Sequence, residues 1–341
     1  TPPPKAGAQN QEKYRSWDPF AWYENGFYYA IFGGEHPAIA KSPAMGGDWR
    51  YVGDLFAHEI DGVSLNEDVS CAELFRLGDK DILLCISHRM GCRYYVGEWK
   101  DEQFYPDIHA QMSWRDNIFF APESLEDDQG RRIMWAWLLD LRDLGTRFDT
   151  GWSGVMSLPR VISLGDDRGE EGRLRIEVAE EIERLRYRPH HLESIEVDAN
   201  AEVVVAGVSG DSLELIVDME SANATEFGIK VCVSPDGEEQ TVISFDPLER
   251  TLSIDTRLSG PADSPKDIET APFSLEKNEP LRLRVFIDKS VVEVFANDRQ
   301  ALVRRIYPAR TDSLGVRVFA VGGGAVVRTL QSWHISPSNP Y

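Results

Sequence analysis

The chain has 341 residues, 42% of them hydrophobic, which is enough apolar material for two domains with their own cores and too much for a disordered polymer. Its 57 acidic residues stand against 36 basic ones, a formal charge of −21, which disfavours nucleic acid and anionic membrane as partners and suits a neutral substrate. No apolar run approaches the roughly 20 residues that span a bilayer. Thr1-Pro2-Pro3-Pro4 carries no basic region and apolar core of the signal-peptide kind.

Residues 1–13 read as a loose Pro-, Gln- and Lys-rich arm. Trp17-Asp18-Pro19-Phe20 then opens a first β-block, with strands expected at Phe27 to Phe32, Ile82 to Ile86, Tyr94 to Val96 and Ile133 to Leu138. Polar turns such as Leu77-Gly78-Asp79-Lys80 and Asp127-Asp128-Gln129-Gly130 separate them. Ser70-Cys71-Ala72-Glu73-Leu74-Phe75 opens a second block and Phe119-Phe120-Ala121-Pro122-Glu123-Ser124 a third. Gly151-Trp152-Ser153-Gly154, running into Met156-Ser157-Leu158-Pro159-Arg160, opens a fourth. Blocks repeating every roughly 30 to 50 residues, rich in Trp, Tyr and Gly, predict propeller blades. Inner strands of a propeller converge on one axis, so acids far apart in sequence can meet in one pocket.

Near Glu177 to Arg186 the period changes: Val178, Ile182 and Leu185 recur at helical spacing and predict a short connector. Beyond it, alternating strands at Glu202 to Val205, Ser212 to Val217, Phe227 to Val233, Thr241 to Phe245, Leu281 to Ile287, Val291 to Phe295 and Leu314 to Val321 predict a sandwich of two sheets. The expected domains are a β-propeller over 1–176, a linker over 177–192 and a β-sandwich over 193–341.

Four cysteines, Cys71, Cys85, Cys92 and Cys232, are too few for a disulfide framework. Cys85-x-x-His88-x-x-x-Cys92 lacks a C-x-x-C pair and falls in a strand, so buried thiols are expected there and no metal or cofactor. Gly322-Gly323-Gly324 reads as a turn, and no Gly-x-Ser-x-Gly suggests a serine hydrolase.

The ordered blocks resemble glycoside hydrolase family 32, the invertases, levanases and inulinases. Trp17-Asp18-Pro19-Phe20 is similar to the family's Arg-Asp-Pro block, Ser70 to Lys80 to its Glu-Cys-Pro-Asp block, and Phe119 to Ser124 to its Phe-Tyr-Ala-Pro-Gln stretch. Arg131 to Leu138 and Gly151 to Arg160 match later blades. Val291 to Gln300, followed by Arg304-Arg305, is close to the sandwich signature. The resemblance implies a five-bladed β-propeller followed by a β-sandwich, an all-β protein that hydrolyses β-fructosides of the sucrose, inulin or levan type with retention. A secreted, extracellular or periplasmic location goes with it.

The departures matter for mechanism. The strand that carries the family's nucleophilic Asp has no counterpart before Arg15, so one blade is expected to be largely missing, with an N-terminal fragment or partner chain completing the propeller. The position of the general-acid Glu holds Ser70, whose hydroxyl cannot protonate a leaving oxygen as a carboxylic acid does. That leaves Asp18 as transition-state stabiliser (a turn-forming Asp before Pro is the bland alternative). Glu123 is the expected proton donor, against the alternative of a structural acceptor. Asp68, on the face of Ser70, is the third carboxyl. Trp17, Ser70 and Trp137 are expected to touch sugar, although a blade tryptophan is often plain core. A carbohydrate-binding protein that no longer hydrolyses is the competing class.

Overall fold

The computed structural model describes residues 18–165 and 173–339, so Trp17 lies outside the described residues. The fold is all-β and divides into two compact units. One runs up to Trp137 and adds Val161–Leu174; the other holds Leu138–Arg160 and the chain from Arg175.

The first sheet has the order β1 (Phe20–Glu24), β2 (Phe27–Phe32), β3 (Ala38–Ser42), β4 (Arg50–Asp54). The second repeats it as β5 (Ser70–Leu77), β6 (Lys80–Ser87), β7 (Gly91–Lys100), β8 (Gln103–Gln111). Both are antiparallel meanders built on tight turns, as the Asn25-Gly26 and Gly78-Asp79 signals require. In the third, β9 (Phe119–Glu126) pairs β10 (Arg132–Leu138), and the order continues as β11 (Val155–Met156), β10, β12 (Arg160–Leu164), β13 (Leu174–Val178). The first strands lie side by side, β1 against β5 and β5 against β9, which is the propeller-type arrangement that brings the block corners together. The corner at Gly151–Gly154 opens no sheet of its own: the two-residue β11 joins the edge of β10 instead.

The cores explain the pattern. Ile31, Ile39, Leu55, Val69, Leu83, Cys85, Tyr95 and Phe104 form one buried cluster between the first two sheets. A short helix that the sequence reading did not anticipate, α1 (Leu144–Thr150), is capped by the Asp143 carboxylate on the Thr146 amide and stopped by left-handed Gly151.

In the second unit a 3₁₀ turn (Glu180–Leu185) stands where helical spacing was expected, and six residues are too few for an amphipathic α-helix. Two six-stranded sheets follow. One has the order β14 (Arg186–Val197), β25 (Gly324–Ile335), β16 (Ser212–Ala222), β21 (Leu281–Asp288), β22 (Val291–Ala296), β23 (Gln300–Arg305). The other has β15 (Ala201–Ser209), β24 (Gly315–Val321), β17 (Glu226–Val233), β18 (Thr241–Asp246), β19 (Thr251–Asp255), β20 (Ile268–Pro272). On β18, Thr241, Ile243 and Phe245 are buried while their neighbours are half out, the period-two signature of a sandwich face. Arg186–His191, at the C-terminal end of the 177–192 connector, belongs to β14 and so to a sandwich sheet.

Candidate active site

Three corners share one backbone device. Asp18, Cys71 and Ala121 all adopt left-handed φ, at 39°, 48° and 48°, although none is glycine. Such residues cost about 1–3 kcal/mol each and persist where surrounding structure over-determines them, often at functional sites. At Cys71 the kink coincides with a register shift between Ser70 and Glu73 on β5–β6. The kinks bring the three corners into reach of one another: the Cys71 thiol donates to Asp18 Oδ2 at 3.7 Å, and Asp18 and Glu123 both act on it electrostatically. Burial first, then these carboxylates, push the thiol up to about 12, so Cys71 is a neutral donor and not a thiolate.

Glu123 is the chemically loaded member. Its side chain reaches water on one side, but partial removal from solvent, and then the charges of Glu73 and Asp18, push its pKa up to about 7. No hydrogen bond or cation compensates it among the described residues. Glu73 differs. It is buried, accepts from the Ser124 amide and hydroxyl at 2.8 Å each, and pairs with Arg132, which stacks 3.9 Å over Phe75. Burial pushes its carboxyl upward against those contacts. Glu73 therefore ties β5 to the strand carrying Glu123 and supplies negative charge beside it.

Asp68 points where the sequence reading placed it, towards Ser70, whose hydroxyl donates to Asp68 Oδ1 at 2.7 Å. Its other oxygen accepts from the His88 amide at 2.9 Å and stands 2.6 Å from His88 Nδ1. Burial opposes ionisation here, but the His88 and Ser70 hydrogen bonds outweigh it and hold Asp68 below its ordinary range. Asp68 is thus an acceptor and a poor proton donor. Two glycines admit this corner: a Cβ on Gly33 would stand 2.1 Å from the Val69 carbonyl, and left-handed Gly34 exchanges backbone hydrogen bonds with Val69. Arg93, fully buried, fixes the Asp68 carbonyl from behind at 2.8 Å.

Trp137 is 46% exposed and meets Phe120 edge-to-face at 6.2 Å, and Phe120 meets the His88 ring at 5.9 Å. The row offers an open indole face next to the Glu123 corner, as stacking on sugar requires. His88 was singled out in the sequence only as a possible zinc ligand. Cys85 and Cys92 are buried, and the His88 ring turns to Asp68 instead. The spacing Asp68-x-Ser70 was legible, but the partner 20 residues away was not.

A larger cavity of about 800 Å³ lies in the sandwich, where Glu220 and Glu279 are neutralised by Arg328 and Arg299. Paired acids of that kind mark the sandwich cavity as structural rather than chemical.

An all-β chain whose strained strand corners converge on uncompensated carboxylates is the class that fold and site define: a propeller-type protein with a sandwich and an acidic corner. The family model for the glycosyl hydrolases family 32 N-terminal domain matches residues 3–175 and that for the family's C-terminal domain matches residues 181–334, and the chain belongs to this family. A sucrose-6-phosphate hydrolase of Zymomonas mobilis is 27% identical over 352 residues, covering 94% of this chain and 66% of its own length. A levanase of Bacillus subtilis is 28% identical over 260 residues, covering 72% of this chain and 37% of its own. The chain spans about two thirds of the length of the former. Among solved structures, fructan 1-exohydrolase IIa from Cichorium intybus superposes with a TM-score of 0.84 at 18% identity, covering 99% of this chain and 74% of that one. Likeness at that identity establishes the propeller-plus-sandwich fold.

Proposed function

We propose that the protein is a glycosidase that hydrolyses β-fructosides with retention, Glu123 protonating the leaving oxygen as its bond to the sugar breaks. Asp18 holds sugar hydroxyls and stabilises the positive charge of the transition state, and Asp68 orients the opposite wall. Retention needs a nucleophilic carboxylate about 5–5.5 Å from the donor. We assign it to a residue outside the described ones, on a segment or partner chain that completes the site. The supporting observation is Glu123: a carboxyl with a pKa of about 7 is still half protonated at neutral pH, as a general acid must be. The relatives' names point to sucrose 6-phosphate, fructan and levan as the substrates to try.

The test is fructose release from sucrose, inulin and levan, with Glu123→Gln as the control. Release by the wild type that the variant lacks supports the assignment, whereas equal release by both removes Glu123 from it. Ser70 at the general-acid position favours a second reading, sugar binding without hydrolysis; binding of these sugars with no turnover would select it.

A further inference from the structure

Beside the carboxylate corner lies a cavity of about 660 Å³, entirely within the first unit, which the account of hydrolysis leaves unused. It begins at Ser70, the residue next to Cys71, so it opens directly off the reacting corner. Its lining side chains are polar or charged, chiefly Glu35, Asn66, Glu67, Asp68, His88 and Arg89, with their carbon stems and backbone making up the rest of the wall. Several of these groups are unspent. His88 directs Nδ1 to Asp68 and leaves Nε2 without a hydrogen bond among the described residues. The Asn66 carboxamide and the Glu35 carboxylate have no side-chain partner among them either. Arg89 gives one amino group to Glu67 and keeps the rest of its guanidinium open. No aromatic or aliphatic residue lines the space, so a ligand there meets polar groups set among short carbon stems, as the hydroxyls and C–H faces of a sugar require.

The charge balance narrows the ligand further. Three carboxylates face the cavity and one guanidinium, itself already paired to Glu67, opposes them. Glu67 is held ionised: burial opposes this, but the Ser87 and Arg89 hydrogen bonds and the charge of Arg93 prevail. A phosphate dianion placed here meets net negative charge, three carboxylates against one guanidinium among the described lining residues. A neutral polyol meets a donor–acceptor set that suits hydroxyls: an amide, a carboxylate and an imidazole whose orientation Asp68 fixes.

We propose that this cavity receives an unphosphorylated sugar unit of the substrate, that His88 reads one of its hydroxyls, that Asp68 acts as the positioning residue for His88, and that the acidic lining discriminates against a sugar phosphate. The proposal rests on the glycosidase reading for the identity of the substrate, but binding tests it separately. Sucrose, 1-kestose and sucrose 6-phosphate are titrated into the wild type, His88→Ala, Asp68→Asn and Glu35→Lys by calorimetry, with thermal melts to confirm folding. The His88 side chain is 58% exposed, so its truncation leaves the core intact. The neutral sugars are expected to bind at least about tenfold more tightly than the phosphorylated one. His88→Ala is expected to lose about tenfold of neutral-sugar affinity, the order of one hydrogen bond to a well-placed partner, and Asp68→Asn to lose part of it. Glu35→Lys is expected to raise sucrose 6-phosphate affinity relative to sucrose. Where turnover occurs, His88→Ala should raise KM while kcat changes less. Preference for the phosphorylated sugar, or equal neutral-sugar affinity in wild type and His88→Ala, overturns the proposal. Binding that follows this pattern without fructose release overturns the glycosidase reading and leaves the subsite standing. Absence of any sugar binding at millimolar concentrations overturns both.

Discussion

Acids stand in different surroundings in the two units: paired in the interior of the second, exposed and, among the described residues, unpaired by any cation at one corner of the first. In the second unit, Glu293 accepts from the Leu158 amide at 2.7 Å and from Arg160 at 2.9 Å. Glu214 takes Arg186 at 2.6 Å and Arg284 at 2.7 Å. Glu269 pairs with Arg304 and Glu279 with Arg299. Each anion removed from water is returned a fork of donors. At the corner of the first unit, Asp18, Glu73 and Glu123 gather with a single arginine among the described residues, and that arginine is committed to Glu73. The sandwich spends its charges on architecture, whereas the corner leaves charge uncompensated, and uncompensated charge shifts a proton equilibrium into the useful range. The Ser-Leu-Pro-Arg motif belongs on the structural side: Arg160 is fully buried against Glu293, which lies in the sandwich signature itself.

The contrast breaks most visibly at Glu123. Glu123→Gln is expected to lower kcat/KM by about 10²–10⁴-fold and to abolish the fall of activity above pH 7 that loss of the Glu123 proton causes in the wild type. A variant with wild-type rate and pH profile would place Glu123 with the structural acids. On the other side, Glu293→Ala leaves Arg160 buried without its carboxylate and is expected to cost about 3–5 kcal/mol in urea unfolding. A cost below about 1 kcal/mol would mean that the sandwich pairs are not compensating buried charge.

The smallest effect concerns stability against pH. Folded Glu123 keeps its proton up to about 7, while the unfolded chain releases it near 4.5. The folded state therefore binds more protons between those values, and stability falls as pH rises through that window. Because one side of Glu123 is open to water, Glu123→Gln should gain only about 1 kcal/mol over wild type at pH 8, with no difference at pH 4. Equal melting temperatures at both pH values would contradict the raised pKa.

Much of this was legible in the residues. Apolar and aromatic runs between polar turns located β2 at Phe27–Phe32 to the residue and the interior of β6, and alternation located the interiors of β16, β17 and β22, because each buries one or both faces. The twelve-residue β14 and β25 escaped notice: β14 shows mostly polar side chains, and β25 sets Arg328, Thr329, Gln331, Ser332 and His334 among its apolar residues, so neither carries a clean hydrophobic signal. The corner acids were legible one by one, since Asp-Pro and Ala-Pro-Glu are local chemistry. Their mutual arrangement was not, because it depends on left-handed kinks at Cys71 and Ala121, residue types that do not advertise positive φ. The Asp68–His88 contact likewise joins two elements whose separation leaves no periodic trace. Trp137 showed only its type; that its ring is open rather than core was decided by β10's position in the sheet.

The central claim is that partial removal from solvent, with the charges of Glu73 and Asp18 beside it, holds the Glu123 proton to neutrality, and direct titration tests it without any need for turnover. Carboxyl ¹³C NMR of the glutamate side chains, assigned through Glu123→Gln, should show one group titrating near 7 in the wild type and moving down towards 4.5 in Asp18→Asn, where a negative neighbour has been removed. A Glu123 resonance that titrates near 4.5 in the wild type and ignores the Asp18 substitution would contradict the account.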